Sequence, residues 1–171
     1  GLELDVILHA GDVSSNSVIE RLSQIAPVIF AHGNRDWFSG DERSLVKFVE
    51  YNHVKIALTH GHGGWVKYVW DKLPFFIFGY RFERYLKNLN KIKQDAKIVV
   101  FGHTHQIENR KVGDCLFFNT GSAYDPGEDR RGPSIGLLEI YPDATFKEKI
   151  ISLKKGKWKK DHWEIDPVKS K

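Results

Sequence analysis

Four separate stretches of the chain share one grammar: a short apolar run followed at once by a turn dense in Asp, Asn, His and Gly. They are VILHAGD (Val6 to Asp12), VIFAHGNRD (Val28 to Asp36), VKIALTHGH (Val54 to His62) and KIVVFGHTH (Lys97 to His105). Each run is long enough for a strand buried on both faces and too short for a helix of ordinary length. In open α/β sheets the carboxyl ends of such strands line one crevice, where ligands bind. Four remote pieces of sequence are therefore expected to deliver His, Asp and Asn side chains to one place. Six of the eight histidines (His9, His32, His60, His62, His103 and His105) sit in these turns, which is the pattern of a metal site.

The spacing between the runs points to β-α-β units and parallel pairing. Apolar residues at Val18, Ile19, Leu22 and Ile25 predict a helix over 14–25, with Ser14, Ser15 and Asn16 as candidate N-caps and Pro27 marking the return to a strand. The segment 44–49 (SLVKFV) reads as a short helix or an irregular link. From Gly63 to Lys93 aromatic residues crowd a stretch interrupted by Pro74 and Gly79, with a helix expected on either side of that break, the second from about Phe82 to Lys93. These aromatics read either as packing over the sheet edge or as a lid, a dimer surface or a substrate wall. The last third reads as antiparallel strands over 111–119 (with a turn at Gly113-Asp114), 134–141 and 145–153, with a tight turn at Pro142-Asp143 and a polar loop over 124–133.

A chain of 171 residues is most simply one domain with a sizeable core. We expect that domain over 1–153 and a basic tail over 154–171. The tail opens with KKGKWKK and carries much of the formal charge of +4. A solvated tail is the ordinary reading, and contact with nucleic acid or an acidic membrane is the less favoured one. The single cysteine, Cys115, excludes an intramolecular disulfide and reads as a core thiol. With no visible signal peptide or membrane-length apolar segment, the expected location is cytoplasmic. The chain begins with Gly, contains no Met and opens almost directly on a strand, as a fragment would.

Neutral imidazole and carboxylate are the ligands of zinc-, manganese- or iron-type cations. His103 and His105 lie two apart beyond a strand end, a spacing that can aim both rings into one crevice, and His60 and His62 repeat the arrangement. Glycines 11, 33, 61 and 102 let the backbone turn sharply beside an ion or a phosphate. Asp12 could bridge two cations, and the Asn34 carbonyl is an unusual ligand with few other reasons to be there. Any one of these turns alone is weak, because a lone His at a strand end is more often structural. All four in this order are hard to attribute to chance.

With these motifs the sequence resembles the calcineurin-like metallophosphoesterase superfamily, and within it the small single-domain bacterial and archaeal phosphodiesterases. The matching residues are Gly11-Asp12, Gly33-Asn34-Arg35-Asp36, Thr59-His60-Gly61-His62 and Gly102-His103-Thr104-His105. Asn119-Thr120-Gly121-Ser122, followed by Pro133-Ser134, resembles a later Asn-x-Gly-Ser feature of that branch. The resemblance implies a four-layer α/β/β/α sandwich of two mixed sheets, with a dimetal centre at the strand ends. It places Asp12 between two divalent ions (Mn, Ni, Fe or Zn). Asn34, His60 and His103 would complete the second site, His105 would belong to the first, and His62 would support a ligand or touch phosphate.

Two departures qualify what the resemblance implies. No Asp-x-His precedes Asp12, so the first strand of the usual fold is expected to be missing and the centre to hold two ions or only one. Arg35 stands where many relatives place a His that protonates the leaving group. Arginine stays charged and cannot be a general acid, but it can pair with phosphate oxygens. The implied activity is hydrolysis of phosphodiesters with good leaving groups by a metal-bridging hydroxide, with Asp12, Asn34, Arg35 and His62 in the catalytic machinery. The alternative is a scaffold or binding module with a degenerate metal site, like the retromer subunit built on this fold. Such a module would meet a partner, or a second copy of the chain, through the aromatic segment 65–85.

Overall fold

The computed structural model describes residues 3–13, 15–33, 36, 45–61, 81–123, 133–153, 156–159 and 162–165. The expectations for Asn34, Arg35 and His62, and for most of the aromatic segment, lie outside these residues. So does nearly all of the polar loop over 124–133. Of the tail, two short strands are described.

The four apolar runs all form strands. They are β1 (Ile7–His9), β2 (Val28–Phe30), β4 (Val54–Thr59) and β5 (Ile98–Phe101), with β3 (Val46–Tyr51) preceding β4. β1 pairs in parallel with β2, His9 opposite Phe30. β4 pairs in parallel with β5, Thr59 opposite Phe101. Two further strands, β6 (Ile107–Val112) and β7 (Cys115–Thr120), complete a five-stranded mixed sheet in the order β3-β4-β5-β7-β6. β8 (Ser134–Ile140) and β9 (Phe146–Ser152) form an antiparallel pair.

Side-chain alternation along the three central strands divides the core in two, as the two-residue period of a strand requires. Val54, Ile56 and Leu58 of β4, Ile98 and Val100 of β5, and Leu116 and Phe118 of β7 face one way. There they meet Leu8 and Ile29 of the β1–β2 pair and Leu138, Ile140, Phe146 and Ile150 of the β8–β9 pair. Ala57, Val99, Phe101, Cys115 and Phe117 face the other way, against Phe82, Tyr85, Leu86, Leu89 and Ile92 of helix α2 (Phe82–Ile92). The architecture is thus mixed α/β, with sheet against sheet on one side of the five-stranded sheet and a helix on the other. Cys115 is a buried, unpaired thiol, and burial raises its pKa.

Helix α1 (Asn16–Ser23) begins where the cap signal placed it, with the Ser15 side chain accepting from the Ser17 N–H. Ile25 falls past its last turn and is 66% exposed, so it does not join the helix's inner face as the spacing predicted. The segment 44–49 departs from expectation more sharply. It enters β3, a strand antiparallel to β4. The two-residue connection Asn52-His53 has φ of 46° and 62°, the left-handed pair of a type I′ hairpin turn. His replaces the usual glycine in that turn, and so the hairpin signal is easily missed. In the tail, β10 (Gly156–Lys159) and β11 (His162–Ile165) pair as an antiparallel hairpin with Trp158 opposite Trp163. Among the described residues no helix is long and apolar enough to cross a membrane.

Candidate metal centre

Parallel pairing brings the turns after β1 and β2 together, and likewise those after β4 and β5. One hydrogen bond then joins the two sheets at their carboxyl ends: His60 Nδ1 lies 2.7 Å from the Ala10 carbonyl oxygen. A carbonyl only accepts, so Nδ1 carries the proton and Nε2 presents a lone pair. Burial lowers the His60 pKa from its ordinary 6.5, partly opposed by the Asp12 charge and the Ala10 hydrogen bond, which keeps the ring neutral at neutral pH. His60 is 2% exposed, so few solvent molecules reach the ring.

The His60 Nε2 lone pair faces two other donor atoms. Asp12 Oδ1 is 3.5 Å away, and His103 Nδ1, which donates a hydrogen bond to this nitrogen when it carries the ring proton, is 3.2 Å away, with the two imidazole rings edge to face. An unprotonated nitrogen facing a carboxylate oxygen gains from a cation between them. Nitrogen and oxygen ligands about 2.1 Å from one ion lie about 3.0 Å apart at a right angle and about 3.4 Å apart at a tetrahedral one. Both separations are near those values, and the donor set of one carboxylate and two imidazoles suits a transition-metal ion. Among the described residues no group of three or more His, Cys, Asp or Glu side chains is arranged so that it could hold a metal ion. The pairwise contacts run through His60, and the expected ligand Asn34 and neighbour His62 lie outside the described residues.

Asp12, His103 and His105 share a conformation that is rare for residues with a Cβ: φ is 58°, 67° and 53°. Each left-handed residue costs about 1–2 kcal/mol, and such strain persists only where surrounding contacts fix it. At Asp12 the fixing group is the Asp36 carboxylate. Its Oδ2 accepts from the N–H of Asp12 at 2.9 Å and of Gly33 at 2.8 Å, and its Oδ1 accepts from the Val13 N–H at 2.6 Å. The turns after β1 and β2 are in backbone contact there. A Cβ at Gly11 (φ 91°) would lie 2.7 Å from the Gly33 nitrogen, and one at Gly33 would overlap Asp12 N and Oδ1. Glycine at both positions is therefore a packing requirement.

At His103 and His105 the fixing group is Asn119, 1% exposed at the end of β7. Its Nδ2 donates to the Gly102 carbonyl at 3.0 Å and to Thr104 Oγ1 at 3.1 Å, while its Oδ1 accepts from the Gly121 N–H. His105 is exposed and lies close enough to His60 to contribute to the lowering of the His60 pKa. His9 lies within the same field. Burial lowers its pKa while Asp36 and Asp12 pull it upward, and its Nδ1 accepts from the Gly11 N–H. His32 instead packs edge-on to Phe30.

Of the sequence-predicted residues, the structure places Asp12 and His103 each beside His60, and His105 within electrostatic reach of His60. Asn34, Arg35 and His62 follow described residues of the same turns. Sequence reasoning gave no role to Asp36, Asn119 or His9. The first two stood inside the quoted motifs Gly33-Asn34-Arg35-Asp36 and Asn119-Thr120-Gly121-Ser122, which was the available signal.

Known proteins share the sequence pattern and the fold of this chain. The model of the calcineurin-like phosphoesterase superfamily domain matches residues 1–142. A probable metallophosphoesterase of Methanothermobacter thermautotrophicus is 28% identical over 138 residues, 81% of this chain and 70% of that protein. A phosphodiesterase of Methanocaldococcus jannaschii is 26% identical over 149 residues, 80% of this chain and 76% of that protein. Among solved structures, wild-type Vps29 of Entamoeba histolytica complexed with zinc superposes with a TM-score of 0.61 at 25% identity, covering 87% of this chain and 82% of that one. A predicted phosphoesterase of Streptococcus pneumoniae gives 0.61 at 24% identity, covering 88% and 75%.

Proposed function

Because this chain belongs to the calcineurin-like phosphoesterase superfamily, we propose that it is a metal-dependent phosphoesterase acting on phosphodiesters. The observation that carries the reading is the approach of Asp12 Oδ1 and His103 Nδ1 to the unprotonated Nε2 of His60. Asp12, His60 and His103 would hold a divalent ion, with Asn34 and His105 completing a centre for one or two ions and His62 beside it. Such ions neutralise phosphate charge and make a bound water acidic enough to attack at neutral pH.

The chain's own groups shape which substrates follow. Arg35 would pair with phosphate oxygens as charge builds but cannot return a proton to the leaving group. Leaving groups that depart as stable anions are therefore preferred, which favours aryl diesters and cyclic nucleotides over alkyl monoesters. Asp36 keeps the turns after β1 and β2 in shape before any substrate arrives, so that part of the site is preorganised.

The test is Mn²⁺-dependent hydrolysis of an aryl phosphodiester by the chain and by Asp12→Ala. Turnover that requires Mn²⁺ and vanishes in the variant supports the reading; turnover unchanged in Asp12→Ala sinks it. A second reading, a binding module on the same fold, draws on the equal likeness to Vps29 and to the bacterial phosphoesterase. A folded chain with no turnover under any divalent metal would favour that reading.

A further inference from the structure

The Asn119-Thr120-Gly121-Ser122 motif lies on β7 and the loop after it, and neither the ligand set nor the leaving-group reasoning uses it. Its asparagine makes three directed hydrogen bonds, all to the turn beyond β5 or to its own loop. The two Nδ2 bonds reach Gly102 and Thr104, the neighbours of His103 on either side. Thr104 Oγ1 then accepts from the Gln106 N–H at 3.3 Å, so the same hydroxyl also brackets His105. Within the turn, the Thr104 N–H bonds back to the Gly102 carbonyl at 2.8 Å.

We propose that Asn119, acting through Thr104, is a positioning residue for the metal centre: its carboxamide clamps the 102–106 turn so that His103 and His105 present their rings as ligands. This inference rests on the metal-dependent reading above.

Three observations carry it. First, both histidines have left-handed backbones, so the turn does not hold its shape without outside contacts. Second, Asn119 is fully enclosed, so water cannot take over its hydrogen bonds. Third, the amide is itself held: Oδ1 accepts from the N–H of Gly121, whose φ is 84°, and the loop returns to the sheet through Ser134 Oγ, which donates to the Thr120 carbonyl. A carboxamide suits this post because it donates twice and accepts once with no charge to add to the centre.

The experiment compares Mn²⁺ affinity, read from the electron paramagnetic resonance signal of free Mn²⁺, in wild type, Asn119→Ala, Thr104→Val and Thr104→Ser. Urea unfolding of each chelated protein runs in parallel. Groups that orient metal ligands affect affinity by about 10–100-fold when removed. Asn119→Ala and Thr104→Val should therefore each weaken Mn²⁺ binding by about that factor, and Thr104→Ser, which keeps the hydroxyl, should bind as wild type does. The double variant should be little worse than the weaker single one, because both act through one network.

A merely structural role would lower urea stability and leave Mn²⁺ affinity in the folded variants unchanged; that result overturns the proposal while the metal-dependent reading stands. If Asn119→Ala fails to fold, the nearly isosteric Thr104→Val and its serine counterpart decide. A wild-type chain that takes up no Mn²⁺ refutes the metal-dependent reading, and this inference falls with it.

Discussion

Replacing Asp36 by Asn tests whether one carboxylate holds the two turns that build the centre. The side chain keeps its shape, but one of its two acceptor oxygens becomes a donor. The favourable orientation places the remaining oxygen where Oδ2 accepts from Asp12 and Gly33, at 2.9 and 2.8 Å. The amide nitrogen then faces the Val13 N–H, which lies 2.6 Å from Oδ1 in the native chain. One hydrogen bond to a charged group, worth about 1.5–3 kcal/mol, is lost. The two survivors change from charge-assisted to neutral bonds and weaken by roughly half. The site is only half-buried, so water relieves part of the loss, and a net cost of about 2–4 kcal/mol is expected. Typical domains have about 5–15 kcal/mol in hand, so the variant should fold. At about 2–4 °C per kcal/mol for a chain of this size, its melting temperature should drop by about 4–16 °C. The assay is urea unfolding of the chelated protein, with thermal melting in parallel. A loss below about 0.5 kcal/mol, the scale of ordinary surface substitutions, would mean that the three hydrogen bonds do not hold the turns.

Other consequences are simpler to reach. His53→Gly relieves a left-handed residue in the β3–β4 turn and should stabilise the fold by about 0.5–1 kcal/mol, since type I′ turns favour glycine there; a lower urea midpoint would contradict the assigned turn. Phe117→Ala removes a fully buried ring that meets Phe82 edge to face at 5.8 Å. It should cost about 3–5 kcal/mol by denaturant unfolding, and a cost under 1 kcal/mol would mean that the helix-side core is not packed as described. Burial lowers the pKa of both His9 and His60 below their ordinary 6.5. The unfolded chain then binds more protons than the folded one as pH falls through 6.5 toward the lowered folded values, and stability declines across that window. Urea midpoints of chelated protein at pH 7.5 and pH 5.5 should show the loss, with a smaller one in His9→Gln; equal midpoints would refute the assigned burial.

The sequence shows the strands and the cluster for the same reason. The runs VILHAGD, VIFAHGNRD, VKIALTHGH and KIVVFGHTH change abruptly from apolar to His-, Asp- and Gly-rich residues, where a buried strand ends at a polar crevice. Helix α2 was legible as the stretch beyond the break at Pro74 and Gly79. β3 was not, because the residue marking its hairpin is His53, whose φ of 62° no propensity announces. The division of the four strands between two sheets was equally hidden, since it depends on which edges pair. Asp12, His60 and His103 could be singled out because they carry metal-binding chemistry. Asp36 and Asn119 could not, because their work is to satisfy the backbone groups of strained turns, and those groups are visible only in three dimensions.

The central claim is that Asp12, His60 and His103 hold a divalent ion. The most direct measurement is an anomalous difference map from crystals of this chain grown or soaked with Mn²⁺. The account predicts a peak in coordinating contact with Asp12 Oδ1, His60 Nε2 and His103 Nδ1, lost in Asp12→Ala crystals. Well-ordered side chains at these three positions with no peak between them, or Mn²⁺ bound only elsewhere, would contradict it.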